Sequence, residues 1–190
     1  MDDYFRPLSR LFSKVEINDQ KGSGISFGRL VERIARLIVL QEKKGNKVFF
    51  IGNGGSAAIA SHMACDLLKN AEISALVFND ASLLTCISND LGYEYVFQKP
   101  IERLAQENDI LFSISSSGES KNIINAAKAA KKKGCFVVTL SGFNKNNALR
   151  QLGDMNFYLP SYSYGYVETI HFAIMHFIVD TVIENKKAGR

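Results

Sequence analysis

One stretch, Lys47 to Lys69, constrains the fold of this chain more than any other. It opens with Val48 to Ile51, an apolar run short enough for a buried strand. The turn Gly52-Asn53-Gly54-Gly55-Ser56 follows, and its residues tolerate positive φ and close approach to a ligand. A helical pattern of small residues begins at Ser56. The turn is therefore predicted to lie where a strand ends and a helix begins, which is where open α/β sheets bind ligands.

Two ionisable residues, His62 and Asp66, follow the glycine turn at a spacing of four. This spacing puts both side chains on one helical face, a little over one turn beyond the glycines. A histidine and a carboxylate placed in this way can share a metal ion or a proton. A lone pair of this kind is more often a surface hydrogen bond, so the spacing marks a candidate site without deciding its chemistry.

The rest of the chain shows strands that alternate with helices, which is typical of a parallel sheet covered on both faces. We expect an α/β fold: a three-layer α/β/α sandwich with a five-stranded parallel sheet and an extra N-terminal helix. The predicted strands are Val48 to Ile51, Ile73 to Phe78, Asp109 to Ile114, Cys135 to Leu140 and Phe157 to Leu159. Besides the helix that begins at Ser56, the predicted helices cover residues 4–15, 30–41, 82–88, 93–106, 120–133 and 167–185.

A single domain is expected over residues 1–190, because the polar breaks at Asn18 to Gly24 and Asn144 to Asn147 are too short to divide domains. Within it, residues 1–45 are expected to form N-terminal helices and residues 46–190 the core of sheet and helices. Three tyrosines, Tyr162, Tyr164 and Tyr166, alternate just before the last predicted helix. Aromatic residues in such a place more often brace a loop than stack on a ligand.

The composition argues against several classes of protein. The 23 basic and 19 acidic side chains give a net charge of only +4, so nucleic-acid binding is not expected. Cys65, Cys86 and Cys135 are odd in number and scattered, which predicts no disulfide framework and a reducing, cytoplasmic compartment. The N-terminus lacks the apolar core of a signal peptide, and no run approaches the roughly 18 apolar residues of a membrane span.

A second turn, Ser115 to Ser120, follows the predicted strand that ends at Ile114. Its four hydroxyls and one glycine, together with backbone amides at the positive end of a helix, can hold a phosphate without a lysine. Ser116 and Glu119 also have the spacing of a capping box, which would use one hydroxyl and one carboxylate locally. The two interpretations are compatible, because further serines remain.

Three features together resemble the phosphosugar isomerase, or SIS (sugar isomerase), domain family. They are the Gly52 to Ser56 turn followed by His62, the Ser115 to Ser120 turn after a strand, and a last helix with Glu168, His171 and His176. The resemblance covers nearly the whole chain and is strongest to members that isomerise seven-carbon sugar phosphates. It implies a five-stranded parallel sheet between helices and a homotetramer with active sites at subunit interfaces.

The resemblance also implies roles for individual residues. Asp66 would be the acid/base carboxylate and His176 its partner imidazole, with one metal ion, usually zinc, and no organic cofactor. The implied zinc ligands are His62, Asp66, Glu168 and His176. The implied substrate-binding residues are Asn53, Gly54, Ser56, Asp90, Ser115, Ser116, Ser117, Ser120 and Glu168.

The implied function is that of an aldose–ketose isomerase that converts sedoheptulose 7-phosphate to D-glycero-D-manno-heptose 7-phosphate by a metal-assisted enediolate mechanism. Such a reaction needs a base, an acid and a stabiliser for the enediolate oxygen. The alternative is a non-catalytic module of the same family that binds a sugar phosphate or a protein, as its replication-initiator-associating members do. The effector-binding domain of a regulator ranks last, because no DNA-binding segment is evident.

Five residues depart from what the resemblance implies. Asp66 stands where the family generally has Glu, Glu168 where it has Gln, and Gly165-Tyr166 where an Asp-Arg pair is usual, while Cys65 replaces an acidic residue. The shorter reach of Asp66 and the added charge of Glu168 bear directly on the metal and the substrate. These departures leave the identity of the sugar open, and with it the choice between catalysis and binding alone.

Glu168 and His176 are eight residues apart, or about 12 Å along a helix, which is too far for both to bind one metal ion from one straight helix. Three arrangements remain. The helix begins after Glu168, His176 comes from a neighbouring chain, or Glu168 and His171 bind the metal instead. The apolar N-terminal segment and last helix both need covering, which favours the neighbouring chain.

Overall fold

The computed structural model describes residues 2–19 and 25–189, and six strands within them form one sheet. The strands are β1 Glu16–Asp19, β2 Val48–Gly52, β3 Ala75–Val77, β4 Ile110–Ser115, β5 Phe136–Ser141 and β6 Met155–Tyr158. Their order across the sheet is β1-β6-β5-β4-β2-β3. Strands β2 to β6 run parallel, and β1 pairs antiparallel with β6 at the edge. The parallel part has the five strands predicted from the sequence.

Helices cover both faces of the sheet and give the predicted three layers. They are α1 Asp2–Phe12, α2 Phe27–Glu42, α3 Gly55–Asn70, α4 Ala81–Leu91, α5 Gln98–Leu104, α6 Lys121–Lys132 and α7 Tyr164–Lys187. Helices α2, α3 and α7 pack with Phe50 and Phe112 in one apolar core, and α5 and α6 pack with Phe49 and Leu111 in the other. Because side chains alternate along a strand, neighbouring residues of β2 and β4 supply opposite cores.

The antiparallel strand β1 was not predicted. It carries one apolar residue, Ile17, which pairs with Phe157, and the side chains of Glu16 and Asp19 form ion pairs. Glu16 accepts hydrogen bonds from Lys145 (2.9 Å) and Arg150 (3.1 Å), and Asp19 accepts one from Arg33 (2.6 Å). Partners distant in the chain thus fix this strand, and no local pattern reveals them. Part of the predicted break, residues 20–24, lies outside the described residues.

The helix predicted over residues 93–106 is divided in two. A 3₁₀ turn spans Tyr93–Tyr95, and α5 begins only at Gln98. The N-terminal segment contributes the strand β1 as well as helices. The expected division of the domain into residues 1–45 and residues 46–190 stays a prediction.

Helix α7 is long and apolar enough to cross a membrane by length and composition alone, a feature that was not expected from the sequence. Seven of its nine buried residues, among them Ile170, Ile174 and Ile178, pack in the core that α2 and α3 share. The high apolar content is therefore that of a core helix, which buries a wide stripe and needs no lipid.

Candidate functional site

The glycine turn between β2 and α3 requires its glycines. A Cβ on Gly52 would lie 2.5 Å from the carbonyl carbon and oxygen of Ser56, and Gly54 has φ +53°. The close approach at Gly52 lets α3 start directly at the end of the strand, with Ser56 buried beneath the turn. No side chain among the described residues caps α3. The Ser56 amide donates to the Asn53 carbonyl oxygen (2.9 Å), whereas the Gly55 amide has no acceptor among the described residues and can meet an anion.

Asn53 ties this turn to α6 by a reciprocal amide pair. Its Nδ2 donates to Asn122 Oδ1 (3.0 Å), and Asn122 Nδ2 donates to Asn53 Oδ1 (2.8 Å). The Tyr93 hydroxyl also donates to Asn53 Oδ1 (3.1 Å). Sequence reasoning missed Asn122 and Tyr93 as parts of the site, because a residue that positions another by a long-range hydrogen bond has no local pattern.

The serine turn follows β4 and leads into α6. The hydroxyl oxygen of Ser115 accepts a bond from the Gly118 amide (3.2 Å), and that of Ser117 accepts one from the Glu119 amide (3.2 Å). Ser116 is buried, and its hydroxyl has no hydrogen-bond partner among residues 2–19 and 25–189. A buried hydroxyl without a partner costs free energy unless a ligand satisfies it.

The capping-box interpretation of this turn is wrong. Helix α6 begins at Lys121 with Ser120 as its N-cap, so Ser116 is not at the capping position. The Glu119 carboxylate instead accepts a hydrogen bond from the amide of Ala148 (2.9 Å). The serine hydroxyls are therefore not used to cap the helix, and both they and the first amides of α6 remain available to an anion.

The two turns line one cavity of about 260 Å³, into which the amino ends of α3 and α6 both open. Positive helix ends and hydroxyl donors make it chemically suited to a phosphate group. Its lining residues are Asn53, Gly54, Gly55, Ser56, Ile114, Ser115, Ser116, Ser117, Ser120, Tyr164 and Glu168. The structure thus brings together every predicted substrate-binding residue except Asp90.

Asp90 lies apart from this cavity. It is exposed in the last turn of α4, where its carboxylate accepts a bond from Asn89 (2.9 Å) and contacts the Cys86 thiol (3.7 Å). The described residues that line the serine cavity do not include it. A substrate-binding role for Asp90 stays a prediction.

Glu168 lies at the boundary between the serine cavity and a second, more apolar cavity. Its carboxylate is packed against Gly55, since a Cβ on that glycine would lie 2.5 Å from Glu168 Oε2. The second cavity, of about 450 Å³, is bounded by Gly55, Ala58, Ile59, His62, Glu168, Thr169 and Phe172. The two cavities adjoin at Gly55 and Glu168, and together they form a groove between α3 and α7 that reaches from the serine turn to His62, with the Glu168 carboxylate between its two halves.

His62, Asp66 and His176 form a cluster at the far end of this groove. One ligand atom from each lies within 4.8 Å of the others. His62 Nε2 is 3.3 Å from Asp66 Oδ2, and the two imidazole rings are 5.2 Å apart between centroids. Two imidazoles and one carboxylate are a donor set that suits zinc and leaves a fourth position open, so these residues fit the predicted metal.

Glu168 is not part of this cluster in the described chain, although it was predicted as a ligand. It lies two turns before His176 on α7, which begins at Tyr164, so the idea that the helix starts after Glu168 is wrong. His176 meets His62 and Asp66 within one chain. A neighbouring chain is therefore not needed to supply His176, although the sequence favoured that arrangement.

His171 belongs to the core and not to the metal cluster. It is fully buried, with Nε2 3.3 Å from the carbonyl oxygen of Ser141. Burial lowers the pKa of His171 to about 4, because the charged imidazolium loses its hydration there. His171 is therefore a neutral core histidine that contacts the end of β5. The arrangement in which Glu168 and His171 bind the metal ion is excluded.

The comparisons with known proteins agree with this geometry. Residues 4–142 match the model of the SIS domain family. The chain is 36% identical to the phosphoheptose isomerase of Helicobacter hepaticus over 158 residues, or 80% of each chain. It is 37% identical to that of Glaesserella parasuis over 169 residues, or 86% of this chain and 85% of the relative.

A solved structure of a phosphoheptose isomerase from Francisella tularensis has the same fold. It superposes with a TM-score of 0.83 at 26% identity, covering 96% of both chains. The chain therefore belongs to the SIS domain family, and within it to the phosphoheptose isomerase family of sugar-phosphate isomerases.

Proposed function

We propose that the protein interconverts an aldose and a ketose phosphate, with sedoheptulose 7-phosphate as substrate and D-glycero-D-manno-heptose 7-phosphate as product. The observation that carries this proposal is the groove between α3 and α7, which joins a phosphate-sized cavity to a cluster of two imidazoles and a carboxylate. One end can hold the phosphate and the other can move a proton beside a carbonyl. The similarity to phosphoheptose isomerases supports the same assignment.

The length of the groove favours a seven-carbon sugar. Gly55 at the serine cavity and His62 at the cluster are seven residues apart on α3, which is about 10 Å along the helix. In an extended seven-carbon ketose phosphate, the carbonyl carbon and the phosphorus are about 9 Å apart at standard bond lengths. In a five-carbon ketose phosphate the same distance is about 2.5 Å shorter. The longer substrate can therefore span both ends.

Asp66 is proposed as the base that takes the proton from the carbon beside the carbonyl, and His176 as its partner. The same reaction needs an acid that protonates the substrate oxygen, and the remaining ring N–H of a neutral His176, whose other nitrogen would bind zinc, is proposed to donate that proton. Zinc held by His62, Asp66 and His176 would act as a Lewis acid on the carbonyl oxygen. The proton on the carbon beside the carbonyl would then be easier to remove. Phe172 contacts both imidazole rings, at 5.3 and 4.6 Å between centroids, and fixes their orientation.

Glu168 is proposed to bind the middle of the sugar. Its carboxylate lies between the serine cavity and the cluster, where it can accept hydrogen bonds from hydroxyl groups of the substrate. Asn53, Gly54 and Ser56 are proposed to face the sugar next to the phosphate. A cytoplasmic homotetramer with interfacial active sites belongs to the same proposal, which the exposed apolar side chains of Phe5, Leu40 and Phe177 support.

Removal of the Ser116 hydroxyl tests the phosphate site. Ser116→Ala should weaken binding of sedoheptulose 7-phosphate by about tenfold or more, because a hydrogen bond to a charged group contributes roughly 1.5–3 kcal/mol. Ser117→Ala should act in the same direction. Titration calorimetry measures the dissociation constant of sedoheptulose 7-phosphate for each variant. Ser82→Ala, on the exposed face of α4, is the control. Parent-like affinity in a folded Ser116→Ala protein would assign the phosphate elsewhere.

The function itself is tested by assaying a panel of ketose phosphates of five, six and seven carbons for aldose formation, together with the zinc content of the purified protein. We expect turnover of the seven-carbon compound and about one zinc per chain. Binding of that compound without turnover by the zinc-loaded protein would favour the non-catalytic module instead. Turnover of a shorter sugar alone would contradict the length argument but keep the reaction class.

A further inference from the structure

An aromatic cluster stands beside the serine cavity and is not explained by phosphate binding or proton transfer. The ring of Phe143 stacks on that of Tyr162 at 5.4 Å and meets the edge of Tyr164 at 4.9 Å. Tyr164 lines the cavity, yet 60% of it is exposed, and Tyr162 is 75% exposed without lining the cavity. The alternating tyrosines thus do more than brace a loop, because one of them forms part of the cavity wall.

Phe143 adopts a backbone conformation that is costly for a bulky residue. Its φ is +57°, in the left-handed region, which costs a non-glycine residue free energy and persists only where surrounding contacts impose it. Here the Phe143 amide donates to the Ser161 carbonyl (3.0 Å), and its own carbonyl accepts from the Tyr158 hydroxyl (2.8 Å). Such strain is concentrated at functional sites.

The strained residue is also connected to the phosphate turn. The amide of Gly142, the residue before Phe143, donates to the carbonyl oxygen of Ser116 (2.9 Å). The backbone beside Phe143, whose ring contacts Tyr164, is therefore tied to the serine turn that would hold the phosphate. An aromatic wall beside a phosphate site can contact whatever is attached to that phosphate.

We propose that Tyr164 is a specificity-determining residue that packs its ring against the carbon chain of the sugar next to the phosphate, and that Phe143 is its positioning residue. This inference rests on the proposed function. Carbon atoms of a sugar present C–H groups between their hydroxyls, and an aromatic face can cover these groups and exclude water from them. Tyr164 would then favour a sugar phosphate over phosphate alone.

The test compares two probes, sedoheptulose 7-phosphate and inorganic phosphate, by titration calorimetry and by steady-state kinetics. Tyr164→Ala should weaken sugar phosphate binding about fivefold, which is the scale of one aromatic contact, and should leave inorganic phosphate binding within about twofold. KM should rise with kcat largely kept, since Tyr164 is twelve residues from His176 on α7. Tyr164→Phe keeps the ring and should restore the affinity for the sugar phosphate.

Tyr162→Ala is the matched control, because it removes a ring of the same cluster that does not line the cavity. Unchanged sugar phosphate binding in Tyr164→Ala would overturn the inference, as would an equal loss for inorganic phosphate or for Tyr162→Ala. If the parent protein binds inorganic phosphate but no sugar phosphate, the proposed function fails and this inference fails with it. If the parent isomerises the sugar and Tyr164→Ala behaves like the parent, only the inference fails.

Discussion

Replacing Asp66 with asparagine is expected to lower turnover by roughly two to four orders of magnitude while substrate binding is largely kept. Asparagine preserves size and can still accept the bond that Asn70 donates to Asp66 Oδ1 (3.3 Å). It cannot take a proton from a carbon acid. The side chain of Asp66 is only 22% exposed and lies 3.3 Å from His62, so water cannot easily replace the missing base.

The measurement is kcat and KM for sedoheptulose 7-phosphate in zinc-supplemented buffer, with the zinc content of each variant determined separately. Asp180→Asn is the matched control, because Asp180 is an exposed aspartate on α7. Near-normal turnover of a folded Asp66→Asn protein would assign the base elsewhere, and Glu168 would be the next candidate. A loss of activity that excess zinc restores would make Asp66 a metal ligand and not the base.

Replacing Gly52 with alanine should disrupt the site and destabilise the fold together. The new Cβ would lie 2.5 Å from backbone atoms of Ser56, and backbone at the start of α3 cannot move aside as a flexible side chain could. We expect the free energy of unfolding to fall by about 3 kcal/mol, the upper range for an overpacked core. Binding of inorganic phosphate should be lost as well, since displacement of Ser56 moves the amides at the start of α3.

Gly28→Ala provides the control for this change. Gly28 lies within α2, and a Cβ there meets nothing within 4 Å, so alanine should raise stability by up to about 1 kcal/mol. Denaturant unfolding compares the two variants with the parent. A Gly52→Ala protein with parent-like stability and phosphate affinity would show that the turn relaxes without cost, against the geometry described above.

Local chemistry explains which parts of the site the sequence could predict. The glycine and serine turns are specified by residues within a few positions of one another, so the amino-acid pattern alone identifies Gly52 and Ser116. The same holds for His62 and Asp66, which share one helical turn. The position of His176 beside them could not be predicted, because it depends on how α7 crosses α3.

Strand β1 and Tyr164, which lines the serine cavity, are features that could not be predicted from the sequence. Glu16–Asp19 becomes a strand through pairing and ion pairs with residues far away in the chain. Tyr164 lines the serine cavity, and its ring contacts that of Phe143, which has a positive φ. Neither contact leaves a periodic pattern, whereas the five parallel strands do, which is why the layers of the fold were predictable and the edge strand was not.

The reciprocal amide pair of Asn53 and Asn122 determines which kind of ligand atom the glycine turn can bind. The Ile123 amide donates to Asn122 Oδ1 (3.0 Å), which fixes the orientation of that side chain and obliges Asn53 to donate to the same oxygen. Asn122 Nδ2 and the Tyr93 hydroxyl then occupy both lone pairs of Asn53 Oδ1. The second N–H of Asn53 has no acceptor among residues 2–19 and 25–189, so Asn53 can offer a ligand only a donor. With the amides of α3 beside it, this side of the cavity selects groups rich in acceptor oxygens and discriminates against amines.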